Sequence, residues 1–196
     1  MKIKYIIFIL LLSLSNLTKS YSIEPDVFVQ STVNKASSVL SSEKSLEKKI
    51  SKLKKIAEET VDIRGIGFYT LGSVRKTLND EQKKKYAELF EQYFLKSFSS
   101  RLAEYTNPEI SVEGKKILNE NYTIVNSLLK GTNERPEIKI DWRIYTKNPN
   151  EPLIRDLIIE GLSLARTQKE EFQSILNSND GNIESLFDAL EKFTNN

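Results

Sequence analysis

The sequence predicts an α+β domain in which helices cover one face of a single curved, mostly antiparallel sheet of about four strands. Three observations carry this. From Glu24 to Tyr105 apolar residues recur every three or four positions, from Ile110 to Ile159 the period shortens towards two, and after Ser163 the longer period returns. A block of helices, a block of strands and two closing helices put the helices together over one sheet, whereas alternation would have interleaved them with parallel strands.

The elements follow in order. Pro25 sits where a first helical turn tolerates proline, and Val27, Phe28, Val33 and Leu40 give the first helix its buried side. Ser41 or Ser42 is placed to cap a second helix, on which Leu46, Ile50, Leu53 and Ala57 form a stripe with Ile56 and Thr60 beside it. Lys48, Lys49, Lys52, Lys54 and Lys55 read as its solvated face, or more sharply as a contact patch for anionic head groups or an acidic partner. Gly65, Gly67 and Gly72 crowd the next stretch, but no strand precedes them and no Gly-Lys-Ser/Thr follows, so a phosphate loop is set aside. A short helix with room for close packing is the reading that remains. Asn79 and Gln82 form a capping box for the longest helix, which runs to about Tyr105. Its stripe of Tyr86, Leu89, Phe90, Tyr93, Phe94, Phe98, Leu102 and Tyr105 faces either a large core or a large apolar ligand. Asn107-Pro108 ends it.

Ile110 and Val112 start a strand, Tyr122 to Lys130 form a second, and residues 131–135 turn. From Glu137 to Thr146 the alternation is clean, with Ile138, Ile140, Trp142 and Ile144 inward and Lys139, Asp141 and Arg143 outward. After the Asn148-Pro149-Asn150 turn, the last strand has Leu153, Leu157 and Ile159 on one face and Ile154 and Ile158 on the other. Gly161 breaks it, Glu160 sits where turning amides need an acceptor, and Ser163 caps a helix beginning at Leu164. Gln168, Phe172 and Ile175 continue that helix. Asp180-Gly181 ends it, and a final helix carries Ile183, Leu186, Phe187, Leu190 and Phe193. A strand apolar on both sides that turns directly into an amphipathic helix is a natural place for a cavity.

Lys2 and Lys4 followed by the apolar run Ile6–Leu12 and small residues read as a secretory signal peptide over residues 1–22, with Ser20 and Ser22 as possible last residues before cleavage. The run falls short of the roughly 20 apolar residues a spanning helix needs. Residues 23–196 are then expected to form one domain. The chain has 29 basic and 27 acidic residues, and loss of Lys2, Lys4 and Lys19 with the leader leaves 26 against 27, so no basic excess remains for nucleic acid. There is no Cys, so stability after export does not rest on disulfides.

The absence of both His and Cys removes Ser-His-Asp triads, thiol nucleophiles and the usual Zn, Cu and haem ligands. A mechanism built on carboxylates alone would have to draw on Asp141, Asp156 and Glu160, the only strand acids worth considering, and Asp141 shares an outward face with Lys139 and Arg143 as if ion-paired. A Ca²⁺ loop at residues 177–182 has too few acids. Binding is what remains. Apolar helix and strand faces, no reactive groups and export together suggest a carrier for something greasy, because at roughly 0.8 kcal/mol per CH₂ a long acyl chain is costly to hold in water.

The ordered set of Asp62, Leu71-Gly72, Arg75, the long-helix stripe, Ile138 to Ile144 and above all Asp156-Leu-Ile-Ile-Glu160-Gly161-Leu-Ser163-Leu164, followed by Phe172, resembles the MlaC (toluene-tolerance) family of periplasmic phospholipid-binding proteins. The last run is similar to that family's Asp-x-x-x-Glu-Gly-x-Ser-Leu signature. Two departures stand out: Thr167-Gln168-Lys169 where the family carries an Asn-Tyr-Arg-like run, and Val74-Arg75 where it has Trp-Arg. The resemblance implies an NTF2-like fold, a phospholipid as cargo and not as a cofactor, and no enzymatic activity. It also implies shuttling between an outer-membrane lipoprotein–porin complex and an inner-membrane ABC transporter with an MCE-domain subunit. The residues then expected to line the lipid pocket are Phe68, Leu71, Phe90, Phe94, Phe98, Val125, Leu129, Ile138, Ile140, Trp142, Leu157, Ile159, Leu162 and Phe172. A carrier of another lipid such as a hopanoid, or an exported interaction module with a solid core, are the alternatives.

Overall fold

The computed structural model describes residues 22–105, 107–132 and 135–195. The leader read over residues 1–22 lies, Ser22 apart, outside the described residues, as do Asn133 and Glu134 of the turn read at 131–135. Among the described residues there are six α-helices: α1 Pro25–Ser42, α2 Leu46–Thr60, α3 Ile63–Thr70, α4 Asp80–Ala103, α5 Leu164–Asn177 and α6 Ile183–Asn195. Five strands, β1 Ile110–Asn119, β2 Tyr122–Leu129, β3 Ile138–Tyr145, β4 Leu153–Ile159 and β5 Leu162–Ser163, lie in the order β1-β2-β3-β4-β5, and every neighbouring pair is antiparallel. This is the predicted α+β arrangement, with one short strand more than the sequence suggests.

Apart from α1, where Glu24 makes no side-chain cap bond, the helices start where a side chain accepts an otherwise orphaned amide. Asp62 Oδ1 accepts from Gly65 N at 2.9 Å, and Ser163 Oγ accepts from Arg166 N at 3.1 Å. Asn79 and Gln82 exchange bonds of 2.8 and 3.1 Å in the expected capping box. The second helix departs from expectation. Its cap is Ser45, which accepts from Lys48 N at 3.4 Å, while Ser41 and Ser42 remain in α1 and donate back to carbonyls of their own helix. The long helix stops at Ala103, slightly short of Tyr105.

Strand β4 corrects the face assignment. Arg143 pairs with Asp156 but Ile144 pairs with Ile154, so Arg155 is an extra, bulged residue. The bulge shifts the alternation by one, and Ile154 joins Leu157 and Ile159 opposite the inward Ile144, Trp142 and Ile140, while Leu153 faces away beside Tyr145. Period-two reading cannot see such an insertion. The bulged Arg155 has its own role: it donates to Asp62 Oδ2 at 2.6 Å and to the Tyr122 hydroxyl at 2.7 Å, and lies 3.8 Å from the centre of the Tyr145 ring. Since Asp62 also caps α3, and its amide donates to Ile154 O at 2.9 Å, this cluster ties the start of α3 to the sheet.

The core lies between the inner sheet face and the helices, around Tyr86, Phe90, Leu71, Val125, Ile144, Leu186 and Phe187, all nearly inaccessible. The buried Tyr86 hydroxyl is satisfied by Thr70 Oγ1 at 2.7 Å. Close packing of α3 on α4 depends on Gly67, where an added Cβ would sit 2.7 Å from Phe90 Cδ1. Gly67→Ala is therefore expected to destabilise the fold by about 1–3 kcal/mol through overpacking. Urea unfolding measures this, and an unchanged midpoint would mean the Phe90 ring can yield.

Candidate functional site

The long helix presents one face of rings to the sheet. Phe90 and Phe94 lie 6.2 Å apart and Phe94 and Phe98 5.5 Å apart, the latter pair nearly parallel at 11°. Phe172 from α5 meets Phe90 edge-on at 6.2 Å. Between this ladder, β3–β4 and the start of α5 lies a cleft of about 220 Å³ bordered by Phe90, Phe94, Phe98, Trp142, Ile154 and Leu157. Trp142, in the floor, donates its indole N–H to Ser127 Oγ at 2.8 Å, and the Ser127 hydroxyl donates to Ile140 O at 3.0 Å, so neither leaves an unsatisfied polar group facing the cleft. The rim is polar: Tyr93, Ser97, Arg101, Thr167, Gln168 and Glu171 also border it. Tyr93 donates to Gln168 Oε1 at 2.7 Å, and burial raises its hydroxyl pKa above the usual tyrosine range, so it stays a neutral donor.

The corner beside the cleft is built by the run from Asp156 to Leu164. Asp156 is 3% exposed, and its carboxylate accepts from Ser163 Oγ at 2.6 Å, Ala165 N at 3.0 Å and Arg143 Nη1 at 3.4 Å. It thereby supplies the first turn of α5 with a second acceptor beside the Ser163 cap. Glu160 and Gly161 have φ of 49° and 82°, the paired left-handed residues of a two-residue hairpin turn, and this turn creates β5. Glu160 Oε1 accepts from Lys139 N at 2.5 Å and fastens the turn to β3. Asp141 accepts from Asn126 across the sheet at 2.8 Å, in place of the expected pairing with Lys139 or Arg143. All three strand acids thus hold structure, and among the described residues no cluster of acids could hold a metal ion.

The MlaC protein family model matches residues 30–192. The chain belongs to the MlaC family. A phospholipid-binding protein from Ralstonia solanacearum, solved in complex with a phospholipid, has this fold at a TM-score of 0.74 and 18% identity, covering 88% of this chain and 97% of its own. No curated protein matches the chain.

Within this MlaC fold the expected pocket residues divide into groups. Phe90, Phe94, Phe98, Trp142 and Leu157 border the cleft. Leu71, Val125, Ile140 and Phe172 are buried in the packing behind it, and Leu129, Ile138 and Ile159 are half-buried on the inner sheet face. Phe68 borders a different surface groove, under the Arg64 guanidinium at 5.5 Å. Leu162, expected inward, is 52% exposed on the two-residue edge strand β5, where it pairs with Ile159. The rim residues were missed, although Phe90, Phe94, Ser97, Phe98 and Arg101 fall at helical spacing on one face and a search for polar members of the aromatic stripe would have found them. The departure from the MlaC pattern at Thr167-Gln168 falls on this rim.

Proposed function

We propose that the chain is a periplasmic phospholipid carrier, exported by a cleaved signal peptide over residues 1–22 and folded as one lipid-binding domain over residues 23–196. In this reading it carries lipid between an outer-membrane lipoprotein–porin complex and an inner-membrane ABC transporter with an MCE-domain subunit, maintaining outer-membrane lipid asymmetry, and it catalyses no reaction. The observation that carries the reading is an apolar, ring-lined cleft with a polar rim in an MlaC-family chain. Tails would lie against Phe94, Phe98, Trp142 and Leu157, with the head at the rim, where water spares the charges a desolvation cost. At about 220 Å³ the cleft is smaller than the roughly 300–1,000 Å³ of ordinary ligand sites, so a two-tailed lipid must part the ladder from the start of α5 on loading. The lipid-bound relative from Ralstonia supports the choice of phospholipid.

Organic-solvent extraction of protein purified from a phospholipid-rich bacterial host, followed by mass spectrometry, is expected to return phospholipid in near-stoichiometric amount. Protein free of any lipid would sink the reading, and a polycyclic lipid such as a hopanoid in its place would replace the cargo.

A further inference from the structure

The charges at the cleft carry information about the head group. Three charged residues border it, Arg101, Asp156 and Glu171. Asp156 is buried and occupied by Ser163, Ala165 and Arg143. Arg101 and Glu171 are exposed. Among the described residues neither joins an ion pair, with the other or with a third group, and Glu171 Oε2 accepts only from the neutral Gln168 amide at 2.9 Å. The nearby charges are committed elsewhere: Arg166 faces Glu170 at 3.9 Å, and the Lys169 ammonium lies over the Tyr69 ring at 5.2 Å. Along α4 the lining runs from the inaccessible Phe90 through Phe94 and Phe98 to the exposed Arg101, eleven residues or about 16 Å of helix. Arg101 therefore marks the open end. Arg101 on α4 and Glu171 on α5 border the same opening, as does the half-buried Tyr93.

We propose that the cleft mouth selects a zwitterionic phosphoester head, with Arg101 on its phosphate and Glu171 on its ammonium group. An unpaired cation and an unpaired anion beside one opening match a head in which two carbons separate phosphate from amine. A guanidinium offers the phosphate a planar pair of donors. A purely anionic head would satisfy Arg101 and be repelled by Glu171, and a neutral glyceride would satisfy neither. The proposal rests on the carrier reading and goes further, naming the head that is preferred.

The test loads delipidated protein from vesicles containing equal parts phosphatidylethanolamine, phosphatidylglycerol and diacylglycerol with identical tails, then counts the lipids on the reisolated protein. Wild type is expected to favour phosphatidylethanolamine over phosphatidylglycerol by about two- to five-fold, the range of exposed charge pairs. Glu171→Gln removes that preference, Arg101→Gln lowers both phospholipids against diacylglycerol by about five-fold, and Arg101→Lys restores part of the loss. Glycerophosphoethanolamine carries the same charges without tails; if it displaces the lipid at equal concentration, the ligand is a soluble phosphodiester and the lipid-head assignment falls. Wild type that loads all three lipids alike, with variants indistinguishable from it, overturns the head-group proposal and leaves the carrier standing. Wild type that loads none overturns both.

Discussion

Asp156→Ala is expected to cost about 2–4 kcal/mol of stability. The carboxylate is 3% exposed and gathers three donors from two places in the chain: the Ser163 hydroxyl and Ala165 amide at the start of α5, and the Arg143 guanidinium on β3. Removing it leaves the Ala165 N–H buried with no acceptor, at about 1–3 kcal/mol for such a group. It also loosens the Ser163 cap, a further interaction of about 1 kcal/mol. Arg143 is 40% exposed at its side chain and can turn to water, so its share is small. Against a total stability of about 5–15 kcal/mol, the loss is a large fraction, and a domain of this size would melt roughly 4–16 °C lower. Asp156→Asn keeps one acceptor oxygen and should cost about half as much, and Arg143→Ala under about 1 kcal/mol. Urea unfolding of the three variants with a common slope tests the ordering; an Asp156→Ala loss no greater than that of Arg143→Ala would mean the start of α5 is held by something other than this carboxylate.

The same corner shows what a sequence can and cannot disclose. Ser163 as a cap, Glu160 at a turn and the helix start at Leu164 were legible because each depends on neighbours a few residues away. The role of Asp156 was not, since its partners Arg143 and Ala165 come together only after two strands and a helix are assembled. Nor was the bulge at Arg155, which inverts the faces of Leu153 and Ile154 yet leaves an unremarkable apolar alternation in the sequence. For the candidate site, helical spacing put Phe90, Phe94 and Phe98 on one apolar face and strand alternation put Trp142 and Leu157 on another, while only the family resemblance made those faces a pocket. Neither could separate residues that border the cleft from Leu71, Val125 and Phe172 packed behind it, because burial against a neighbour and burial against a cavity impose the same apolar pattern. The rim escaped for the opposite reason. Ser97, Arg101 and Glu171 resemble ordinary surface residues until the fold sets them around one opening.

That ambiguity between a cavity and a core is also what the second large effect would resolve. Ser97 borders the cleft between the Phe94 and Arg101 turns of α4, is half-buried, and its side chain makes no hydrogen bond among the described residues. An indole there would occupy much of the 220 Å³ that a lipid tail must enter. Ser97→Trp is expected to reduce co-purified lipid by at least about ten-fold, the equivalent of 1.4 kcal/mol of binding. Its stability should stay within about 1 kcal/mol of wild type, because the ring enters existing space and displaces no packed side chain. Phe94→Ala is the converse experiment. Phe94 is only partly buried, so the variant should lose about 2–3 kcal/mol of stability while keeping most of its lipid, the widened cleft exchanging one ring contact for room. If the rings served only as core, the two variants would behave differently: Ser97→Trp would strain a packed interior and lower stability, and neither would change a lipid content that was never there. Lipid lost with stability kept in Ser97→Trp, and stability lost with most lipid kept in Phe94→Ala, is the pair of outcomes that a cleft used by a guest produces and a solid core does not.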